Sequence, residues 1–269
     1  MVHEDGAGVL PAVGDVEICG FHVFDGRLGD AARSLTARAR MGHGLWVVTI
    51  NLQMIAEARI DDGYAALLRR ADLFVADGMP LVWLGKMRPH ARLGRVTGVD
   101  LVRALLSGDP ALKVGLIGGR DPARLKDVVP GARERIAHVE AGRVDPDDPA
   151  QLAGIVGELR SAECQVVLIG LGVPKQDTLA LRLREQLPGA VIIGVGGSFD
   201  MLCGLVPRAP GWIQSLGMEW LFRLAVEPRR LWRRYLLLYP RAAIAIVAWL
   251  CQTAVAGLRL RFARGSRLS

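Results

Sequence analysis

The stretch QVVLIGLG at residues 165–172 decides the fold class, because it joins a short apolar run to a glycine-rich turn. Gln165–Ile169 is rich in β-branched residues and short, which predicts a strand buried on both faces of a sheet. Similar runs occur at Leu45–Ile50, Leu73–Ala76, Lys113–Ile117 and Ala190–Val195. Together the runs predict a sheet of parallel strands.

Helical patterns separate these runs along the chain, at Ala31–Arg40, Leu52–Ile60, Tyr64–Arg70, Val99–Leu106 and Leu152–Arg160. Asp148 followed by Pro149 is a typical start signal for the last of these helices. The alternation of strands and helices predicts an α/β fold with an open, mostly parallel, Rossmann-like sheet flanked by helices.

The composition excludes several classes of protein. The chain has 269 residues, of which 51% are hydrophobic and 23% are charged, so it is neither a disordered chain nor a collagen-like fibre. Its four cysteines lie far apart and form no CxxC pair, which favours reduced thiols over disulfides or a zinc site. The first 15 residues contain acidic groups and no long apolar run, so we expect no signal peptide.

The positive charge is concentrated at the C-terminal end. Residues 223–269 contain ten arginines and one glutamate, which gives +9 and leaves −2 for residues 1–222 of a total of +7. The sequence therefore predicts a core at 1–222 and an Arg-rich appendage at 223–269. Arginine interleaved with aromatic residues suits phosphate groups and anionic membrane surfaces. The same pattern also occurs in proteins that bind single-stranded nucleic acid, which is the alternative.

The appendage has the apolar character expected at a membrane. As a helix, Arg229–Arg241 places arginines opposite a face of Leu, Trp and Tyr. An amphipathic helix packed on the protein's own core is an equally good interpretation of this pattern. Ala242–Leu258 adds 17 uncharged residues, at the short end of what a transmembrane helix needs. We therefore favour a helix that lies in the membrane interface over one that spans the bilayer.

The predicted ends of the strands point to a binding site. In open α/β sheets, ligands bind beyond the carboxyl ends of the strands. The residues at or just after the predicted strand ends are polar or glycine: Thr49, Asn51, Asp77, Gly78, Gly118, Gly119, Gly170, Gly172, Gly196 and Gly197. So many glycines at one edge suggest a backbone that packs closely against a nucleotide or diphosphate. Neither the GxGxxG fingerprint nor the P-loop motif is present, which disfavours nicotinamide enzymes and NTPases.

A series of strings along the chain resembles the WecG/TagA/CpsF glycosyltransferases, glycosyltransferase family 26, over nearly the whole length. The strings occur in family order: TxN at 49–51, ADLFVADGMPLVW at 71–83, RVTGVDL at 95–101, LIGG at 116–119, IGLGVPKQD at 169–177, GVGGSFDMLCG at 194–204, RAP at 208–210, GMEWLFRL at 217–224 and EPRRLWRRY at 227–235. One departure is Asp177, where the family usually has a glutamate.

The resemblance implies an activity. It implies transfer of a sugar from a UDP-sugar donor to a polyprenyl-diphosphate-linked acceptor sugar, with inversion at the anomeric carbon and no metal or other cofactor. The donor sugars of the family include N-acetylmannosamine, its uronic acid and glucose, and the sequence does not select among them. The expected location is the cytoplasmic face of the bacterial cell membrane, as a peripheral protein bound through its basic appendage.

Roles for individual residues follow from the resemblance together with their types. Asp77 is the expected general base, because the reaction needs one carboxylate to take a proton from the acceptor hydroxyl. Thr49 and Asn51 are expected to hydrogen-bond the sugars, although Asn51 also suits a helix N-cap. The remaining expected contacts to the donor and its phosphates are Arg95, Lys175, Gln176, Arg223, Arg230, Arg233 and Arg234.

Other readings of the sequence compete with this one. Asp145 and Asp147 form a DxD, which binds metal and nucleotide in other glycosyltransferases, but here it lies in a proline-rich loop and we expect no metal there. A non-catalytic membrane-associated nucleotide-binding module would use the same strand ends without transferring a sugar. A nucleic-acid-binding protein is disfavoured by the acidic core and by the apolar segment, so we expect no nucleic acid as a partner.

Overall fold

The computed structural model describes residues 15–88, 90–233, 240, 243–244 and 246–250. They form an α/β fold with one eight-stranded sheet flanked by helices. The strands are β1 Asp15–Ile18, β2 Phe21–Phe24, β3 Leu45–Ile50, β4 Leu73–Ala76, β5 Val114–Gly118, β6 Ile136–Glu140, β7 Val166–Gly170 and β8 Val191–Gly194.

The helices that connect and flank the strands are α1 Leu28–Arg40, α2 Leu52–Ala58, α3 Asp62–Leu68, α4 Met79–Lys86, α5 Gly98–Ser107, α6 Leu125–Val128, α7 Ala132–Arg135, α8 Pro149–Ser161 and α9 Lys175–Gln186. Short helices follow the last strand: α10 Ser198–Leu202, α11 Gly211–Ser215, α12 Glu219–Val226 and α13 Pro228–Arg233. Helix α12 thus runs through the boundary predicted at residue 222.

The sheet has the order β1-β2-β4-β3-β8-β7-β5-β6. Only the edge pair β1 and β2 is antiparallel, and every other neighbouring pair is parallel. The five predicted strands are β3, β4, β5, β7 and β8, and they occupy consecutive places in the middle of the sheet. The β1–β2 hairpin and β6 are edge strands that the sequence analysis did not identify.

The central strands are buried on both faces, as their uninterrupted apolar runs predict. In β7, Val166 and Leu168 belong to the core on one side of the sheet, and Val167 and Ile169 belong to the core on the other. Because side chains alternate between faces along a strand, a strand with apolar residues at every position needs helices on both sides. The sheet is therefore an internal layer, and its carboxyl edge is the part left open.

The C-terminal helices are attached differently from the core. Helices α11 and α12 contribute no buried residue, whereas Trp249 is only 6% exposed and packs with the core beside the β1–β2 hairpin. Its indole N–H donates to Glu17 Oε1 at 2.9 Å, and the Arg88 guanidinium lies 5.3 Å from the ring centroid. Among the described residues, no helix is both long and apolar enough to cross a bilayer.

Candidate functional site

A cleft of about 290 Å³ opens at the carboxyl ends of the central strands, where the sequence predicts a site. One side is formed by the ends of β3, β4, β7 and β8, and α12 lies on the other. Most of the predicted site residues line this cleft: Thr49, Asn51, Asp77, Gly78, Arg95, Gly170, Gly172, Gln176, Gly196, Gly197 and Arg223.

Other predicted residues do not line the cleft. A Cβ on Gly118 would lie 2.6 Å from the Leu171 side chain, and a Cβ on Gly119 would lie 3.1 Å from Phe199. These two glycines therefore allow close packing behind the cleft. Lys175 is exposed at the start of α9 and is not among the residues that line the cleft. The side chains of Arg230 and Arg233, and all of Arg234, lie outside the described residues.

The polar groups at the end of β3 are already bonded within the protein. The Thr49 hydroxyl is buried and donates to the carbonyl of Gly194 on β8 at 2.8 Å. Asn51 is the N-cap of α2, and its Oδ1 accepts from the backbone N–H groups of Gln53 and Met54. Because the amide oxygen is used as a cap, the Asn51 amide nitrogen is the group left to donate into the cleft.

The side chain of Gln176, at the start of α9, is also held by a hydrogen bond within the protein. Its side chain is 2% exposed, and its Oε1 accepts from the backbone N–H of Gly196 at 3.0 Å. A Cβ on Gly194 would lie 3.0 Å from Gln176 Nε2, so the strand end needs a glycine there to admit the amide. The bond to Gly196 fixes which end of the amide is the oxygen and leaves its N–H groups as donors.

Asp77 lies at the turn between β4 and α4. Its backbone N–H donates to the Ile50 carbonyl at 2.8 Å, which continues the pairing of β4 with β3 by one residue. The next residue, Gly78, has φ of +137°, a conformation that only glycine adopts without strain. The chain then turns directly into α4, with a proline in the first turn. The half-buried Asp77 carboxylate makes no hydrogen bond with the described residues.

The electrostatic surroundings of Asp77 favour its neutral form. Burial raises its pKa to about 7, and the negative charge of Glu219 acts in the same direction, whereas Arg95 and Arg223 act to lower it. A carboxyl group with a pKa near neutral is suited to accept a proton and release it again at physiological pH. The raised pKa of Asp77 is thus compatible with the predicted role of a general base.

Arg95 connects the core to the C-terminal helices. Its guanidinium donates to Glu219 Oε2 at 2.8 Å and to Gln214 Oε1 at 3.1 Å. Arg223, on α12, forms no ion pair within the described part of the chain, and its buried Nε has no hydrogen-bond partner there. A cation that lines a cleft and forms no ion pair in the described part of the chain is a natural contact for an anionic ligand.

Several residues that shape the cleft are not among those predicted from the sequence. Thr97, Gly98 and Ser198 also line it, and a Cβ on Gly98 would lie 2.6 Å from the Ser198 hydroxyl, so α5 begins in close contact with the β8 turn. Thr97 caps α5, and its hydroxyl donates to the Asp100 carboxylate. Arg208 donates two hydrogen bonds to the same carboxylate, at 2.8 and 2.9 Å. Burial acts to raise the pKa of Asp100, but these bonds outweigh it and hold the pKa below its usual value.

Glu219 lines the cleft but had no role among the predictions from the sequence. It lies within the quoted string GMEWLFRL, so the signal was present, but nothing in the string indicates that its carboxylate reaches Arg95 across the cleft. Asp200 also lines the cleft and pairs with Arg120 at 2.9 Å.

The DxD motif and a cluster of three potential metal ligands in the described part of the chain lie outside the cleft. Asp147 of the DxD is exposed and pairs with Arg182 at 2.5 Å, and neither it nor Asp145 lines the cleft. Within the described ranges, His138, Glu140 and Glu158 place potential ligand atoms within 4.8 Å of one another. His138 and Glu140 belong to the edge strand β6, and none of the three lines the cleft.

The family comparison agrees with this architecture. The family model described as Glycosyl transferase WecG/TagA/CpsF family matches residues 16–255 of the 269. The match starts in β1, includes all eight strands and the residues that line the cleft, and continues past α13. Because the match covers most of the chain, the protein belongs to the WecG/TagA/CpsF family of glycosyltransferases.

Proposed function

We propose that the protein transfers a sugar from a UDP-sugar to a polyprenyl-diphosphate-linked sugar, with inversion at the anomeric carbon and without a metal ion. One observation carries the proposal. A carboxyl group whose pKa is raised to about 7, Asp77, shares a cleft at the strand ends with Arg223, which has no ion-pair partner within the described chain. A base beside a free cation matches a reaction that deprotonates a hydroxyl and expels a diphosphate.

The reaction proceeds as a single displacement. Asp77 removes the proton from an acceptor hydroxyl as that oxygen attacks the anomeric carbon of the donor. A new carbon–oxygen bond forms on one face of the sugar while the bond to UDP breaks on the other, and UDP leaves with the electron pair. Arg223 and Arg95 stabilise the charge that develops on the leaving diphosphate, which is the task of a divalent cation in other enzymes.

Each half of the cleft has a separate task in this proposal. Gln176, with the backbone of Gly170, Gly172, Gly196 and Gly197, contacts the donor nucleotide and its phosphates. Thr49 and Asn51 orient the sugars from the β3 end. Because Glu219 pairs with Arg95, a diphosphate competes with Glu219 for that guanidinium when it binds.

We also propose that the protein acts at the cytoplasmic face of the bacterial cell membrane as a peripheral protein. Near the cleft, Gly217 packs against Met79 and Trp83, so α4 and the turn between α11 and α12 share one surface. Large apolar side chains are exposed on these elements: Trp83 (50%), Met87, Trp212 (66%), Leu216 and Trp220. An exposed apolar patch of this kind, next to an Arg-rich segment, suits the interface of an anionic bilayer.

A UDP-release assay tests the enzymatic proposal. Purified protein is incubated with a panel of UDP-sugars and a short-chain polyprenyl-diphosphate-sugar acceptor, with and without EDTA. We expect UDP release that depends on both substrates and survives EDTA. UDP binding without turnover on any donor would instead favour the non-catalytic nucleotide-binding module. Loss of transfer in EDTA that Mg²⁺ or Mn²⁺ restores would overturn the metal-independent mechanism.

A sedimentation assay with liposomes tests the membrane proposal. We expect the protein to sediment with vesicles that contain anionic phospholipid, and the double variant Trp212→Ser, Leu216→Ser to bind them more weakly. Both side chains are exposed, so the variant should keep the unfolding temperature of the wild type. A matched variant, Met41→Ser, removes an exposed apolar side chain from the end of α1 and should bind like the wild type. Equal sedimentation of all three proteins would contradict the assignment of this patch.

A further inference from the structure

A buried carboxyl group lies directly beside the cleft without a cationic partner. Asp177 is completely buried in the first turn of α9. Its Oδ2 accepts a hydrogen bond from the Tyr64 hydroxyl of α3 at 2.8 Å, and its Oδ1 has no hydrogen-bond partner in the described part of the chain. Burying a carboxyl group is costly unless it is paired or fully hydrogen-bonded. The Tyr64 bond is therefore the main contact that holds this side chain in place.

The protonation properties of the pair keep the tyrosine as the donor. Burial raises the pKa of Asp177 to about 7, although the Tyr64 hydroxyl and the Gln176 side chain act in the opposite direction. Burial and the neighbouring Asp177 also raise the pKa of Tyr64, so the phenol stays protonated at physiological pH. The hydrogen bond from Tyr64 to Asp177 thus persists in both protonation states of the carboxyl group.

Asp177 is joined to the cleft through Gln176, the preceding residue on the same helical turn. Gln176 is also buried, and its Oε1 receives the backbone N–H of Gly196, a residue that lines the cleft. A continuous chain of contacts therefore leads from Tyr64 on α3, through the first turn of α9, to the turn after β8. A shift of that helical turn would displace both the Gln176 amide and the Gly196 backbone.

We propose that Tyr64 and Asp177 are positioning residues for the donor-nucleotide half of the cleft, where they fix the first turn of α9 and through it the Gln176–Gly196 contact. The proposal rests on the proposed function, because it assumes that Gln176 meets the nucleotide. The short side chain of Asp177 reaches a hydrogen-bond donor because α3 places the Tyr64 hydroxyl 2.8 Å from its Oδ2.

A double-mutant cycle on UDP affinity tests the proposal. Calorimetry measures the Kd of UDP for the wild type, Tyr64→Phe, Gln176→Ala and the double variant. Losing one buried hydrogen bond should weaken UDP binding by roughly three- to tenfold in Tyr64→Phe. If Tyr64 acts through Gln176, the Tyr64→Phe change should have little further effect in the Gln176→Ala background. Transfer assays should show a higher donor KM for Tyr64→Phe with kcat nearly unchanged.

Two further variants separate positioning from general stability. Thr178→Ala removes a hydroxyl that donates to the Pro174 carbonyl in the same turn of α9, and should leave the Kd unchanged. Asp177→Asn keeps an oxygen for the Tyr64 hydroxyl and should bind UDP within about twofold of the wild type. Unchanged affinity in Tyr64→Phe, or additive effects in the cycle, would overturn the inference. A wild type that does not bind UDP would instead refute the proposed function.

Discussion

The two sides of the cleft are built by different physical means. On the strand-end side, polar side chains are bonded to the protein itself: Thr49 to Gly194, Asn51 to the start of α2, and Gln176 to Gly196. On the helical side, α11 and α12 bury no residue of their own and are joined to the core by the contacts of Arg95 with Gln214 and Glu219 and by the packing of Gly217 on Trp83.

The strand-end side of the cleft therefore supplies a fixed shape, whereas the helical side supplies charged groups. The strand-end side is preorganised, because its donors and acceptors are fixed by bonds that do not depend on a ligand. The helical side carries the charges, since Glu219 and Arg223 both belong to α12 and the Arg95 guanidinium is held there by Glu219. A ligand can therefore change the pairing on the helical side without disturbing the sheet. Asp77 stands at the boundary, on the strand-end side but with a pKa that depends on α12.

The largest effect is expected for Asp77→Asn. An amide keeps the shape of the carboxylate but cannot accept the proton, so turnover should fall by about 10²–10⁴-fold while UDP affinity stays close to that of the wild type. Steady-state transfer assays and calorimetry with UDP measure the two quantities. Asp72→Asn is the matched control, because Asp72 precedes the opposite end of the same strand. Turnover of Asp77→Asn near the wild-type value would remove Asp77 from the role of base.

A smaller effect is expected on the helical side for Arg223→Gln. Removing a charged hydrogen-bond donor to phosphate costs about 1.5–3 kcal/mol, so the Kd of UDP should rise by roughly 10- to 100-fold. Calorimetry with UDP checks this, with uridine as a second ligand whose affinity should change little because it lacks phosphates. Arg182→Gln, which breaks an exposed ion pair outside the cleft, serves as the control. An equal loss for UDP and uridine would show that Arg223 does not act on the diphosphate.

The strand-end side is also the part that the sequence predicts well. The five central strands appear as apolar runs because they are buried on both faces, and most of the residues predicted at their ends line the cleft. The edge strands give no such signal, since β6 alternates buried and exposed residues and the β1–β2 hairpin is only partly covered. Such half-exposed strands of four or five residues are difficult to distinguish from loops.

The helical side depends on contacts between residues far apart in the chain, which composition does not reveal. The pairing of Arg95 with Glu219, for example, joins residues 124 positions apart. Gly118 and Gly119 do not line the cleft, and close packing on Leu171 and Phe199 needs glycine at these positions as much as a ligand would. The membrane contact of the appendage remains a prediction.

The pH dependence of turnover tests whether α12 sets the pKa of Asp77. The base acts when deprotonated, so with a pKa of about 7 the rate should fall as the pH drops below neutrality. Burial is the first cause of the raised pKa and Glu219 the second. Glu219→Gln removes the negative charge and frees Arg95, and both changes lower the pKa of Asp77. The acid limb of the kcat/KM profile should therefore move to lower pH.

Arg223→Gln supplies the opposite sign in the same experiment. Arg223 acts to lower the pKa of Asp77, so its removal should move the acid limb to higher pH. Shifts in opposite directions for the two α12 variants would identify electrostatic tuning rather than general damage to the cleft. If the acid limbs of both variants coincide with that of the wild type, a group other than Asp77 controls the pH dependence.

The smallest expected effect is a change in unfolding temperature when a contact between the C-terminal segment and the core is removed. Trp249 lies beside the β1–β2 hairpin, where its indole N–H donates to Glu17 and its ring contacts the Arg88 guanidinium. Trp249→Phe keeps an aromatic ring there but removes the hydrogen bond to a charged acceptor, at a cost of about 1–2 kcal/mol. For a chain of this size, the unfolding temperature should fall by a few degrees.

Trp212→Phe is the matched control for that change, because Trp212 is 66% exposed on α11 and should tolerate the substitution without a measurable change in unfolding temperature. Neither variant should alter UDP affinity, since neither residue lines the cleft. Differential scanning calorimetry and UDP titration together check both expectations. Equal unfolding temperatures for the two variants would mean that the contact between Trp249 and Glu17 adds nothing to the attachment. A weaker Kd for Trp249→Phe alone would show instead that this distant contact controls the helical side of the cleft.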